Sequence, residues 1–390
     1  MGQVLMVAST ASMIKQFNVR NIQILKRAGH EVTVAANFEK PGTINSETAQ
    51  NFKRFLEQMQ VKTVQIGFGR GVGTVRDNME ALRSLDRLFK NNNFEFMHTH
   101  SALASVLSRL VAKKHKVPTV YTAHGFQFSK ESGKGRWLKY FSIEYVLSFL
   151  TNTLIVINEE DFRVAKKFFH QKHLVLLPGI GVKIPELKTN LTRKLISKKF
   201  QAEFQLTESD FSLLTVGELS RRKNQSVVFK ALAELQNEHV HYFLVGLGPM
   251  LEEYRELVSS LGISNQVHFI GYSNDVDYFY EGVDATIFPS KLEGLLTSGV
   301  ESLAHGKYVI GANVRGIRDL IVDEPVEGIL FDQNNLSEVK AAIVEGIKNV
   351  KEQAVTSPTR VYEHALRFDA DLVDNKMVKV YADVEKEAKG

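Results

Sequence analysis

Phe288-Pro-Ser-Lys-Leu-Glu-Gly-Leu-Leu-Thr-Ser-Gly-Val-Glu301 is the stretch on which the reading of the chain turns. The apolar run Ala285–Phe288 reads as a strand, the Pro and Gly that follow as a loop, and the residues from Thr297 or Ser298 onward as a helix. Such a unit aims backbone N–H groups and a positive helix end at whatever lies beyond the strand, which suits a pyrophosphate. Glu293 in the loop and Glu301 in the first helical turns stand eight residues apart. One carboxylate can accept from sugar hydroxyls and the other from ribose hydroxyls. Ser298-x-x-Glu301 also matches a capping box, in which Glu301 would only close the helix start.

The same unit recurs outward in both directions. Strands are expected at Leu213–Val216, His241–Val245, Val267–Ile270, Ala285–Phe288, Tyr308–Gly311 and Gly328–Phe331. An earlier series runs through Val4–Ala8, Val32–Ala36, Thr63–Ile66, Phe94–His98, Thr119–Ala123 and Thr153–Ile157. Helical stretches lie between them, among them Ile14–Ala28, Asp77–Lys90, Ala102–Lys114 and Ser226–Leu235. Alternation of this kind predicts parallel sheets covered on both faces. Leu176-Leu-Pro-Gly-Ile-Gly-Val-Lys-Ile-Pro185 interrupts the series and reads as a hinge. The expected fold class is therefore α/β, two Rossmann-like doubly wound domains (1–180 and 181–369) facing each other across a cleft. A C-terminal helix, 370–390, is expected to pack back onto the first. Ligands in such sheets bind beyond the carboxyl ends of the strands.

Composition sets bounds. At 390 residues, with 44% hydrophobic and 24% charged residues, the chain is globular and too long for one small domain. It has no cysteine, which removes disulfides, thiolate metal sites and cysteine nucleophiles. The most apolar stretch, Tyr145–Asn158, is uncharged and has 14 residues, short of the ~20 a spanning helix needs, and no secretory leader is expected at the start. Residues 1–200 carry 31 Lys and Arg against 14 Asp and Glu, a balance of +17, whereas 201–390 carry 18 against 30, a balance of −12. A basic half suggests an anionic partner or simply a solvated basic surface. Lys130–Leu147 sets Lys130, Lys134, Arg136 and Lys139 beside Trp137, Tyr140, Phe141 and Tyr145, a pattern that suits either a membrane interface or a helix packed on the sheet.

The Glu293…Glu301 pair after Phe-Pro-Ser resembles the donor-site signature of the family 4 glycosyltransferases, retaining enzymes of the GT-B fold. Other segments follow in that family's order. Val216-Gly-Glu-Leu-Ser-Arg-Arg-Lys-Asn224 resembles its phosphate loop and Leu244-Val-Gly-Leu-Gly-Pro249 its nucleotide-side turn. Val267–Tyr272 and Asp284–Pro289 resemble the strands that follow, and Tyr121-Thr-Ala-His-Gly-Phe126 resembles its acceptor-domain loop, with the flavour of the capsular and exopolysaccharide branch. The resemblance implies an N-terminal acceptor domain and a C-terminal nucleotide-sugar donor domain. It implies catalytic roles for His124, Lys223 and Glu293, and donor contacts from Gly217, Arg222, Lys223, Gly246, Gly248, Tyr272, Gly294, Leu295, Leu296 and Glu301. On the acceptor side it points to Ser9, Thr10, Ser12 and Lys15. Two departures stand out: Glu218 replaces a common arginine, and Ala8-Ser-Thr-Ala-Ser12 replaces paired glycines.

The implied reaction moves a hexose or N-acetylhexosamine from a nucleotide-sugar, with UDP the expected nucleotide, to a lipid-linked or growing polysaccharide acceptor with the anomeric configuration kept. No metal is expected. His98-Thr-His100 lacks a clear third ligand, and no cofactor is expected beyond the donor substrate. Gly67–Gly73 is glycine-rich but follows the third strand, no GxxxxGK[ST] exists, and no nucleic-acid module is present. The expected setting is cytoplasmic, peripheral on the inner face of the plasma membrane. Two alternatives are an epimerase of the same fold and a non-catalytic partner subunit; the presence of Lys223, Glu293 and Glu301 argues against the second.

Overall fold

The computed structural model describes residues 2–69, 71–352 and 356–389. The chain divides into two compact units, Met1–Gly181 with Asp371–Gly390 and Val182–Ala370. Of the expected helix 370–390, Gly390 lies outside the described residues, as does Arg70 of the glycine-rich run.

Unit 1 is a seven-stranded sheet built from β1 (Gln3–Val7), β2 (Glu31–Ala36), β3 (Lys62–Gln65), β4 (Phe94–His100), β5 (Thr119–Ala123), β6 (Thr153–Val156) and β7 (His173–Leu176). Its order is β3-β2-β1-β4-β5-β6-β7 and its pairings are parallel. Both faces are covered, so β1, β4 and β5 are near-continuous buried runs rather than alternating ones. Two expectations need correction here. Ile14–Ala28 is two helices, Ala11–Phe17 and Val19–Arg27. The fully buried Asn18 breaks them at φ −127°, ψ 0°, its side-chain amide donating to the Met13 carbonyl (3.2 Å). The supposed hinge also loses its start: Leu176 closes β7, an edge strand of four residues that pairs only with β6.

The helix Ala370–Lys389 packs within unit 1. Arg20 forks onto Asp374 (2.9 and 3.1 Å) and reaches Asp371 (3.3 Å), Tyr381 stacks on Phe96, and Glu387 holds His173 and Lys172.

Unit 2 is a six-stranded parallel sheet, β10-β9-β8-β11-β12-β13. Its strands are β8 (Phe211–Val216), β9 (Val240–Val245), β10 (Val267–Gly271), β11 (Ala285–Phe288), β12 (Tyr308–Ala312) and β13 (Gly328–Phe331). One apolar core runs from Phe211 and Leu213 through Ile287, Val300 and Ile310 to Ile343; a second, around Phe200, Phe243 and Phe279, covers the opposite face. Phe200 comes from the helix Asn190–Glu203, which ties the residues after the hinge to this unit.

That helix changes the charge reading. By unit, the chain carries 29 Lys and Arg against 18 Asp and Glu in unit 1, and 20 against 26 in unit 2. The balances become +11 and −6, because residues 182–200, with six basic residues and Glu186, belong to unit 2, and residues 371–390, with four basic and five acidic residues, belong to unit 1.

A buried ion pair ties two helices of unit 1 together. Arg109, 1% exposed, donates to Glu144 (2.9 Å) and Thr151 (3.3 Å), and Tyr121 donates to the same carboxylate (3.1 Å). Removing the arginine alone strands a buried charge. Arg109→Leu is expected to destabilise the fold by about 3–5 kcal/mol in urea unfolding, and Arg109→Leu with Glu144→Leu to recover most of that loss.

Candidate active site

In unit 2 the strand order reverses between β8 and β11, whose chain connections leave to opposite sides. That reversal opens a crevice at their carboxyl ends. Gly217 follows β8 at φ +149°, and the turn after β9 lies against it. A Cβ on Gly246 would stand 2.0 Å from the Gly217 carbonyl oxygen, and one on Gly248 would stand 2.2 Å from that of Leu219. The Gly217 and Leu219 N–H groups donate to Val245 and Leu247 (2.9 and 3.1 Å). These glycines let two turns touch, and the loop takes its shape from that contact.

The loop after β11 folds over this platform. Asn224 donates its side-chain amide to the Pro289 carbonyl (3.2 Å), and the Lys291 N–H donates to Arg222 (2.9 Å). Glu293 is thereby buried, with one carboxylate oxygen 2.9 Å from both Lys223 Nζ and Arg222 Nη1. Burial pushes this carboxyl up. The Lys223 and Arg222 charges, with hydrogen bonds from Lys223 and Ser290, outweigh it and hold the group below its ordinary value. Arg221 points away to Glu253 and is 81% exposed along its side chain, so Arg222 is the arginine that joins Lys223.

The helix Thr297–Ala304 starts at this loop. Its N-cap residue is Leu296, which supplies no side-chain bond to the first N–H groups. The capping-box expectation fails, because Ser298 lies inside the helix rather than before it. Glu301 turns instead to Tyr280, whose hydroxyl lies 3.1 Å from the carboxylate and 2.8 Å from the Ser298 carbonyl. Burial raises the Glu301 pKa, and the Tyr280 bond offsets part of the rise. Gly294 is pressed by Gly316, where a Cβ would come within 2.6 Å of the Gly294 carbonyl oxygen. Leu296 is buried and Leu295 half-buried. Tyr272 and Leu247, 75% and 55% exposed, present flat and aliphatic surface beyond β10 and β9. Sequence reasoning missed Tyr280, and also Arg315, whose Nε donates to the Glu293 carbonyl (3.1 Å); neither lies in a recognisable motif.

In unit 1 the reversal falls between β1 and β4. His124 follows β5, and its Nε2 lies 3.2 Å from His100 Nδ1. Behind them His98 sits between the Tyr381 hydroxyl and Thr122 Oγ1, 2.8 Å from each. Burial pushes all three imidazoles below their ordinary range. Beyond β1, Ser9 takes Ser101 Oγ on its N–H (2.9 Å). Thr10 begins the first helix, its hydroxyl 3.0 Å from Ser12 Oγ. Ser12 is buried and accepts from the Thr43 N–H (3.3 Å), so it shapes the neighbouring turn and is not open to an acceptor. Lys15 is exposed. The structure thus brings Lys223, Arg222, Glu293 and the glycine turns together in unit 2 and puts Glu301 on the helix that leaves the same loop; in unit 1 it sets His124 against His100, and Ser9 against Ser101, at the carboxyl ends of the strands.

Among the described residues, one group of metal-ligating types lies close together: His30, Glu95 and Glu385. It stands at the amino ends of β2 and β4, and Lys389 already pairs with both carboxylates.

Residues 20–178 match the family model Glycosyltransferase Family 4, and residues 197–359 match Glycosyl transferases group 1. EpsD of Bacillus subtilis (strain 168), a protein named for glycosyl transfer, is 28% identical over 82% of this chain and 81% of its own length. The UDP-Gal:alpha-D-GlcNAc-diphosphoundecaprenol alpha-1,3-galactosyltransferase of Escherichia coli is 24% identical over 70% of this chain and 72% of its own. In fold, the chain is similar to the crystal structure of Anabaena Alr3699/HepE in complex with UDP and glucose, with a TM-score of 0.75 and 18% identity over 98% of this chain and 100% of that one.

The neutral histidines give unit 1 a pH signature. In the unfolded chain each takes a proton near pH ~6.5, whereas burial keeps it neutral in the fold to lower pH. Their contribution is full above that pH and is lost as pH falls toward the depressed folded values. Melting temperatures should therefore drop from neutral toward mildly acidic pH, and His98→Gln should make that drop shallower.

Proposed function

Because the chain belongs to the family 4 glycosyltransferases and has their two Rossmann-like domains, we propose that it transfers a hexose or N-acetylhexosamine from a nucleotide-sugar, a UDP-sugar first, with retention of anomeric configuration. The observation that carries this reading is the cluster at the β8/β11 reversal: Lys223 and Arg222 on Glu293, beside a helix start without a side-chain cap. Departure of the nucleoside diphosphate builds negative charge on the phosphates. Lys223, Arg222 and the first N–H groups of the helix Thr297–Ala304 are placed to stabilise it. Glu293, ionised by the same two cations, positions the sugar, Glu301 accepts from the ribose hydroxyls, and Tyr272 with Leu247 covers the base. The acceptor hydroxyl attacks from the leaving-group side and gives its proton to a departing phosphate oxygen. No step in this scheme needs a metal ion.

The proposed acceptor is a lipid-linked saccharide or growing polysaccharide. The Escherichia coli relative, whose name specifies a diphosphoundecaprenol-linked sugar, supports it. No helix of the described residues is long and apolar enough to cross a membrane. Such an acceptor would then be met by docking of unit 1, with its +11 balance, on the anionic cytoplasmic face of the membrane.

Lys223→Ala is expected to lower turnover by more than donor affinity, because phosphate charge grows toward the transition state; equal losses would mean ground-state binding only. Chelation with EDTA should leave activity intact, and a strict divalent-ion requirement would remove the metal-free scheme. Glu301→Ala should weaken UDP binding by about 1.5–3 kcal/mol in calorimetry. Because burial raises the Glu301 pKa, UDP affinity in the parent should fall on acidification at a higher pH than an ordinary carboxylate would give, and Glu301→Gln should lack that limb.

A further inference from the structure

A cavity of about 420 Å³ opens in unit 1 at the amino ends of β5 and β6. His124 follows the carboxyl end of β5, roughly 20 Å away along the strand, so the cavity is not part of the site described above. Lys113, Lys114 and Lys116 line it from the end of the helix Ala102–Lys114, and Phe149, His170 and Lys172 from the other side. Two carboxylates reach these lysines from neighbouring elements: Asp86 pairs with Lys114 (2.8 Å), and Glu387 is 3.7 Å from Lys172. Lys113 and Lys116 have no ion pair among the described residues. Phe149 is 57% exposed and lies flat on the His170 ring, centroids 4.2 Å apart.

The cavity also continues an uncovered apolar face. On the helix Lys134–Ser148, Leu138 and Val146 are each 62% exposed, and with Phe149 just beyond the helix they fall on one side at helical spacing. Lys134, Arg136 and Lys139 stand at the amino end of this stripe, and the lysine cavity at its carboxyl end. A stripe of apolar side chains with cations at both ends matches a surface that is apolar within and anionic at its rim.

We propose that this cavity seats the phosphate of an anionic phospholipid headgroup, while Leu138, Val146 and Phe149 enter the boundary of the acyl chains. The helix Lys134–Ser148 then lies flat in the interface, held at both ends. Lysines suit the task, since each is a mobile point charge with three donors that can converge on one phosphate. The inference rests on the peripheral docking read above and adds a discrete site to it.

The test is co-sedimentation with vesicles of phosphatidylcholine alone and with phosphatidylglycerol added. The full chain is compared with K113Q/K116Q/K172Q, with the same three lysines changed to arginine, and with a quadruple variant at Lys130, Lys134, Arg136 and Lys139 changed to glutamine. Each basic residue at an anionic surface is worth roughly fivefold in affinity, so the glutamine triple should bind the phosphatidylglycerol vesicles about 100-fold more weakly. The arginine triple should bind like the parent, and unfolding of either triple should match the parent. Val146→Ser with Phe149→Ser should weaken binding while leaving its salt dependence unchanged. Parent-like binding by the glutamine triple, with loss only in the quadruple variant, overturns the cavity site and leaves peripheral docking standing. A parent that ignores both vesicles overturns docking and the headgroup site together. If that parent still binds glycerol phosphate through these lysines, the ligand is a soluble phosphate.

Discussion

Everything at the candidate site depends on one constraint of parallel sheets: the place where strand order reverses is the place where two adjacent strand ends are left without a connection lying over them. In unit 2 that place is β8 beside β11, paired through Ala285 and Leu213. The loops after those two strands must each turn away, and so they meet over an open crevice. Lys223 comes from one loop and Glu293 from the other. Neither would be near the other without this strand order, since 70 residues separate them.

The meeting is also an electrostatic bargain. Glu293 is buried enough that an unpaired charge there would be costly, and Lys223 is itself mostly covered, 13% exposed along its side chain. Each makes the other tolerable, and Arg222 adds a second cation from the rim. The arrangement sets two cations each 2.9 Å from one carboxylate oxygen, the kind of fixed charge on which the proposed stabilisation of the departing phosphate would draw. Gly217, Gly246 and Gly248 contribute by subtraction: any side chain at Gly246 or Gly248 would collide with backbone that cannot move aside.

Much of this was legible in the chain itself. Buried parallel strands are continuous apolar runs, so twelve strands stood out, and the two longest motifs lay at the strand ends where the topology puts ligands. What was hidden depended on contacts that the local pattern does not carry. β7 has one exposed and three half-buried residues and merges into a Pro-Gly segment. Asn18 breaks a helix by a side-chain bond that looks, in sequence, like an ordinary polar position. Glu301 matched a capping box within its own helix, yet its partner is Tyr280, 21 residues earlier on another element. The charge split was real but drawn at the wrong residues, because Lys183–Lys199 go with the half that follows them. His98 was visible, but nothing near it announced Tyr381.

That last contact bears on how the molecule is made. Unit 2 is one uninterrupted stretch, Val182–Ala370, whereas unit 1 is finished by residues 371–389, the helix that brings Tyr381 to His98 and Arg20's partners to the first helices. During synthesis, therefore, every residue of the second unit is made before the last residues of the first. Until then His98 and Phe96, at the centre of the first sheet, lack the side chains that cover them. The earliest-made half is in this way the last to close, since its sheet waits for side chains that are made after the whole of the second unit.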